Sequence, residues 1–318
     1  MTYMEQASES LFNYLPPLTK KEDFDSFWAE TIQITKNIPL NPSKEPVDFP
    51  VTHAKVYDIS YNGFDSTRIN GWFIVPTFVK DEKIPCLIHY HGYTGSRGNP
   101  AGYMHWVMMG VAVLAIDCRE QTGKTGNNAA FSAGTFLHVM AKGVYDKNEY
   151  YVRQLYMDSV KAIDFALAQP EVDPDRIVIE GGSQGGALAM AVCGLDSRPF
   201  LVMADVPSNS NIEARVEGAF GSFSGVTEYL KRYPHKVDET FETLSYFDTM
   251  NMAKHIQCPV LASVALKDNI CPAKMYFATY NRITAEKQIE IYPFNGHEGG
   301  GDIQTEKKMR FLYKHLNP

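Results

Sequence analysis

The sequence predicts an α/β fold in which a mostly parallel sheet is covered by helices on both faces. Short apolar runs predict the sheet. IPCLIHY (84–90), VAVLAID (111–117), RIVIE (176–180) and CPVLASVAL (258–266) lack the alternation of a half-solvated strand and read as strands buried on both faces. Segments with helical spacing separate most of them, and strands alternating with helices are the pattern of a parallel sheet. Glycine-bearing loops follow two of these strands: HGYTG at 91–95 and GGSQGG at 181–186. A length of 318 residues suits one large domain with insertions.

Residues 1–50 read as an N-terminal extension. Within it, Asp23 to Thr35 has helical spacing, with Phe24, Phe27, Trp28 and Ile32 on one side. Pro39, Pro42, Pro46 and Pro50 then favour an extended, irregular path. VTHAKVYDI (51–59) and RINGWFIV (68–75) read as antiparallel strands, with YNGFDS between them as the turn. Ala101 to Met109 reads as a crossover helix. Residues 118–148, rich in Gly, Asn and Thr, read mostly as loop, and an excursion of that length is often functional. Tyr150 to Ala168 reads as a helix closed by Pro170 and Pro174. RIVIEGGSQGGALAMAVCGL follows as strand, sharp glycine turn and helix. Residues 211–255 break the rhythm with short amphipathic pieces, GVTEYLKRYP and ETLSYFDTMN, as an inserted helical cap over a pocket would. A helix from Ala273 to Arg282, a last core strand KQIEIYPF (287–294) and a terminal helix from Asp302 to His315 complete the chain.

Composition narrows the function classes. The net charge is -7 and no basic cluster stands out, which argues against a nucleic-acid binder. No apolar run approaches the roughly 20 residues of a membrane span. No basic segment leads into an apolar run at the N-terminus, so no secretory signal is expected. The five cysteines include no CxxC pair and read as free thiols of a reducing, cytoplasmic compartment. No HExxH or other metal-ligand spacing is present, and GGSQGG lacks the lysine of a phosphate loop, so neither metal nor organic cofactor is expected.

The chemistry centres on Gly181-Gly182-Ser183-Gln184-Gly185. A G-x-S-x-G elbow needs small residues because its serine sits on a strained strand-to-helix turn that lifts the hydroxyl into a pocket. Here a buried strand precedes it and a helix follows. A tight turn with a purely structural serine is the plainer reading, and the context weighs against it. His297, just after the last core strand, is the candidate general base. Asp268, after CPVLASVAL, is the candidate acid that orients it. The order Ser, Asp, His is that of the α/β-hydrolase fold. Glu298 is a weaker candidate for the acid, since adjacent side chains rarely support one another. The oxyanion donors are expected to be the backbone N–H groups of Gln184 and of Tyr93 in the HGYTG loop. Arg119 and Asp117 read as structural. Alternatives on the same fold are a general short-chain carboxylesterase, an acyltransferase or a peptidase; a dead scaffold is disfavoured because all three triad candidates are present.

These motifs together resemble the acetyl xylan esterase and cephalosporin-C deacetylase family, carbohydrate esterase family seven. Its signatures are an RGQ motif, a GxSQG elbow and an HE pair. The elbow appears around Ser183 and the pair as His297-Glu298, while RGQ is altered to Arg119-Glu120-Gln121. YYVRQLYMDSVKAIDFA resembles the family helix before the nucleophile strand, and KDNICPAKMYFATYN the region of its acid. The resemblance spans nearly the whole chain. It implies nucleophile Ser183, base His297, acid Asp268 and oxyanion donors Tyr93 and Gln184, with Arg119, Gln121, Gly181 and Gly185 structural beside them. It further implies deacetylation of short xylo-oligosaccharides, other acetylated sugars and cephalosporin C by an intracellular hexamer, a trimer of dimers. Glu120 departs from the family glycine, and a positive φ there would strain the loop.

Overall fold

The computed structural model describes residues 2–79, 83–134 and 138–317. The strands are β1 (Ser43–Val47), β2 (Ala54–Asn62), β3 (Arg68–Pro76), β4 (Ile84–Tyr90), β5 (Ala112–Ile116), β6 (Val172–Gly182), β7 (Leu201–Asp205), β8 (Val260–Ala265) and β9 (Lys287–Tyr292). They form one sheet in the order β1-β2-β3-β5-β4-β6-β7-β8-β9. The first three strands and β5 pair antiparallel, and from β5 to β9 every pairing is parallel. Together with the helices on both faces, this is the α/β-hydrolase fold, with an N-terminal extension and helical insertions.

The helices are α1 (Tyr3–Phe12), α2 (Phe24–Lys36), α3 (Met104–Met108), α4 (Tyr151–Leu167), α5 (Gln184–Leu195), α6 (Ile212–Glu217), α7 (Ser224–Arg232), α8 (Val237–Ser245), α9 (Ala273–Tyr280) and α10 (Gly301–Leu316). Alternation along the strands sorts side chains to two cores. Cys86, Ile88 and Tyr90 of β4 face a core built with α2, α4, α5 and α9, whereas Leu87 faces one built with α3 and α10. The central strands are buried on both faces, which is why their sequences read as unbroken apolar runs.

The extension holds more structure than its prolines suggest. Pro46 lies within β1, at the sheet edge, where a missing N–H interrupts no ladder on the solvent side. Helix α1, absent from the sequence reading, starts with a capping box: the Glu5 N–H donates to Thr2 Oγ1, and the Thr2 N–H donates to the Glu5 carboxylate. Helix α2 forms where its spacing predicts and buries Phe24, Phe27 and Trp28, with Trp28 Nε1 donating to the Tyr246 carbonyl at 3.0 Å. Strand β7 was also missed in the sequence, because FLVMAD is short and runs directly into the irregular 206–211. The stretch 118–148 has only a short 3₁₀ turn, Val139–Ala141, among its described residues, and its positions 135–137 lie outside them. Residues 211–255 are helical, as expected.

Candidate active site

Strand β6 ends at Gly182 and α5 begins at Gln184, so Ser183 must turn the chain in a single residue. It does so at φ 58° and ψ -117°. A non-glycine residue in such a region stores roughly 1–3 kcal/mol, which the surroundings must overdetermine. They do: the Ser183 N–H donates to the Asp205 carbonyl at 2.9 Å, and its own carbonyl accepts from Ala187 and Ser208. Gly185 leaves no room for a side chain, since a methyl group there would come within 1.9 Å of the Tyr90 carbonyl oxygen.

His297 Nε2 lies 3.0 Å from Ser183 Oγ, and His297 Nδ1 lies 2.8 Å from Asp268 Oδ2. The other carboxylate oxygen of Asp268 accepts the backbone N–H groups of Ile270 and Cys271, each at 2.8 Å. Burial alone would raise the Asp268 pKa. The hydrogen bond with His297 and the two backbone donors outweigh that and hold it below the ordinary carboxylate value. Asp268 is therefore ionised at neutral pH and suited to fix one imidazole tautomer. Glu298 turns away and accepts from the Gly296 N–H at 3.0 Å. Asp268→Asn is expected to lower kcat by about 10³–10⁴-fold with little change in KM, because the amide favours the wrong tautomer. Steady-state rates on an acetyl ester check this, and a fall of less than tenfold would remove Asp268 from the acid role.

The HGYTG loop faces the elbow. A methyl group on Gly92 would stand 3.9 Å from Ser183 Cβ, and Tyr93 lines the same cavity as Ser183 and His297. Among the described residues, the backbone N–H groups of Tyr93 and Gln184 donate to no partner within the chain. Gln121, Thr122 and His91 tie this loop to its surroundings, Thr122 Oγ1 donating to the Thr94 carbonyl. Gln121 Oε1 accepts from the Thr94 N–H at 2.8 Å, while Gln121 Nε2 donates to Gln184 Oε1 at 2.9 Å. His91 accepts the Cys118 N–H at Nε2 and donates from Nδ1 to the Gly92 carbonyl; burial lowers its pKa and keeps it neutral. Its role as a brace was invisible in the sequence, where His91-Gly92 read only as a turn.

Arg119 is fully buried. Its guanidinium meets Asp158 at 2.5 and 2.7 Å, Asp65 at 3.1 Å, Asn127, Gln154 and the Phe64 carbonyl. Asp117 accepts the N–H groups of Arg97 and Lys124. Glu120 does adopt a positive φ, 55°. Its carboxylate compensates by meeting Lys142 Nζ at 2.6 and 2.8 Å and Asn127 Nδ2 at 2.6 Å. Glycine would relieve about 1–2 kcal/mol of backbone strain and forfeit a partly exposed ion pair of similar size. Glu120→Gly is therefore expected to shift stability by no more than about 1 kcal/mol, read as Tm; a larger loss would show that the ion pair dominates.

A cavity of about 560 Å³ opens on the serine. The insertion and the turn after β8 contribute Arg215, Gly221, Ser224 and Cys271 to its lining. Cys271 stands where the resembled family commonly has a proline, a departure visible in the sequence; Arg215, Gly221 and Ser224 were not singled out there, because no motif marks a pocket wall assembled from an insertion. Among the described residues, one group has donor atoms close enough for a metal: Asp268, Cys271 and His297, within 4.8 Å of one another. Two of these three are already bonded to each other in the triad. All five cysteines are free thiols.

A strained serine, an imidazole in hydrogen-bond reach and a buried carboxylate behind it, on this fold, define a serine hydrolase of the α/β-hydrolase class. The chain matches the family model described as acetyl xylan esterase (AXE1) over residues 1–315. It belongs to that family. Among solved structures, it superposes on the acetyl xylan esterase from Paenibacillus sp. R4 with a TM-score of 0.92 and 38% identity, over 99% of each chain. Acetyl xylan esterase 1 from Thermoanaerobacterium sp. JW/SL YS485 gives 0.90 and 29%, over 96% of this chain and 98% of that one. Acetyl esterase Axe7A of Xylanibacter ruminicola is 28% identical over 292 residues, 89% of this chain. This chain spans about two thirds of that relative's length, 65%.

Proposed function

We propose that the protein is a serine esterase that removes acetyl groups from small acetylated sugars such as xylo-oligosaccharides, and from cephalosporin C. The observation that carries this is the 3.0 Å contact between His297 Nε2 and Ser183 Oγ, with Asp268 behind the ring, in a chain of the acetyl xylan esterase family. In the proposed cycle His297 takes the Ser183 proton as Oγ attacks the ester carbonyl. The Tyr93 and Gln184 backbone N–H groups hold the oxyanion. Protonated His297 then gives its proton to the departing alcohol. Water, deprotonated by the same ring, releases acetate and restores the serine.

The reading extends to a cytoplasmic hexamer built as a trimer of dimers. Five free thiols fit a reducing compartment, and among the described residues no helix is long and apolar enough to cross a membrane. Initial rates on matched acetyl, butyryl and octanoyl esters test the substrate class. We expect fast acetyl turnover and a steep fall with acyl length. A preference for octanoyl esters would keep the hydrolase and remove the deacetylase.

A further inference from the structure

Arg215 is a buried charge that the catalytic cycle leaves unused. It projects from α6, is 1% exposed, and lines the cavity that holds Ser183 and His297. Its Nη2 donates to the Ile270 carbonyl at 3.0 Å and lies 3.4 Å from Cys271 Sγ. That sulfur is 3.9 Å from Ser183 Oγ, so a single atom separates the guanidinium from the nucleophile. Among the described residues, Arg215 Nε and Nη1 are buried with no hydrogen-bond partner. The Phe223 ring, centred 5.5 Å from the guanidinium carbon, supplies only a weak counter-field. Among the described residues no carboxylate lies in ion-pair contact with Arg215, and nearby Asp268 is engaged by His297 and two backbone N–H groups. Arg119, just as buried, shows the usual outcome: its donors meet Asp158, Asp65, Asn127, Gln154 and Phe64.

A buried cation with no counter-charge in contact is costly, and an anion held in the adjoining cavity would offset that cost. We propose that Arg215 makes the pocket selective for acetyl esters whose alcohol portion carries a carboxylate. This rests on the acetyl-esterase reading in one respect: an acetyl group has no position for a charge, so the charge must ride on the alcohol. Nε and Nη1 are themselves buried, so the guanidinium of this cavity-lining residue attracts the anion through its field in a poorly screened site, without needing direct contact.

The test uses 3-acetoxybenzoate and its neutral methyl ester, with rates normalised to their hydroxide-catalysed hydrolysis. Wild-type protein is expected to favour the anionic ester about tenfold in kcat/KM, through KM. Arg215→Met should erase that ratio, and Arg215→Lys should keep part of it. Calorimetry of 3-hydroxybenzoate binding to the Ser183→Ala protein, with and without Arg215→Met, gives a readout independent of turnover. Equal wild-type rates on the two esters would overturn the proposal whatever the variants do, as would a ratio that survives in Arg215→Met. Hydrolysis of neither ester nor of any ester in the acyl-length series, with 3-hydroxybenzoate binding that depends on Arg215, would refute the esterase and leave the anion selectivity standing.

Discussion

Replacing Ser183 by alanine is expected to lower kcat on an acetyl ester by about 10⁵–10⁶-fold while the protein stays folded. The magnitude follows from the geometry. The hydroxyl lies 3.0 Å from His297 Nε2, and without it the ring has no nucleophile of the chain to activate there and is left with water. The residual rate would come from binding and from the Tyr93 and Gln184 backbone donors acting on water attack. Stability should hardly change, because the strain at φ 58° belongs to the backbone and alanine shares it. Burst kinetics with a chromogenic acetate, together with circular dichroism, check both halves. A variant that keeps a tenth of the wild-type rate would refute the nucleophile.

Arg119→Met carries the largest expected loss of stability, about 3–5 kcal/mol. Asp158 is 1% exposed and held by Arg119 at 2.5 and 2.7 Å. Burial pushes the Asp158 carboxyl above its ordinary value, and Arg119 opposes that rise. Without Arg119 the folded-state pKa climbs further above the unfolded one, so the native state binds the proton more tightly. Stability of the variant is then lost as pH rises from the unfolded pKa through the folded one. Its deficit should therefore be smaller near pH 4–5 than at pH 7. Urea titrations at both pH values measure this, and Asp158→Asn added to Arg119→Met should recover part of the loss at pH 7. An equal deficit at the two pH values would mean that the lost packing of Arg119, and not the stranded charge, sets its size.

The departure at Glu120 shows how a local rule can be read correctly and still mislead about its consequence. The glutamate does stand at positive φ, yet Lys142 and Asn127 engage its carboxylate, and the loop keeps Arg119 and Gln121 in place. The partner lysine is 22 residues away, and nothing local in the chain announces the pairing.

The order of elements, the buried parallel strands and the chemically marked residues Ser183, Asp268 and His297 were legible in the sequence alone. Each depends on local signals: apolar runs that need burial on both faces, and glycines that alone fit around a one-residue turn. Helix α1, the edge strand β1 and strand β7 escaped because their signals are short or contain proline, and packing against the rest of the chain makes up what propensity lacks. Only the tertiary structure decided how the site is braced and walled. His91 and Gln121 hold the HGYTG loop through contacts with residues 27 to 63 positions away. Arg215 reaches Cys271 across 56 residues, lines the cavity and, among the described residues, leaves two buried donors unpaired. Such partners are set by where the sheet brings strand ends together, and a hydrogen bond between distant residues leaves no period or motif in the chain.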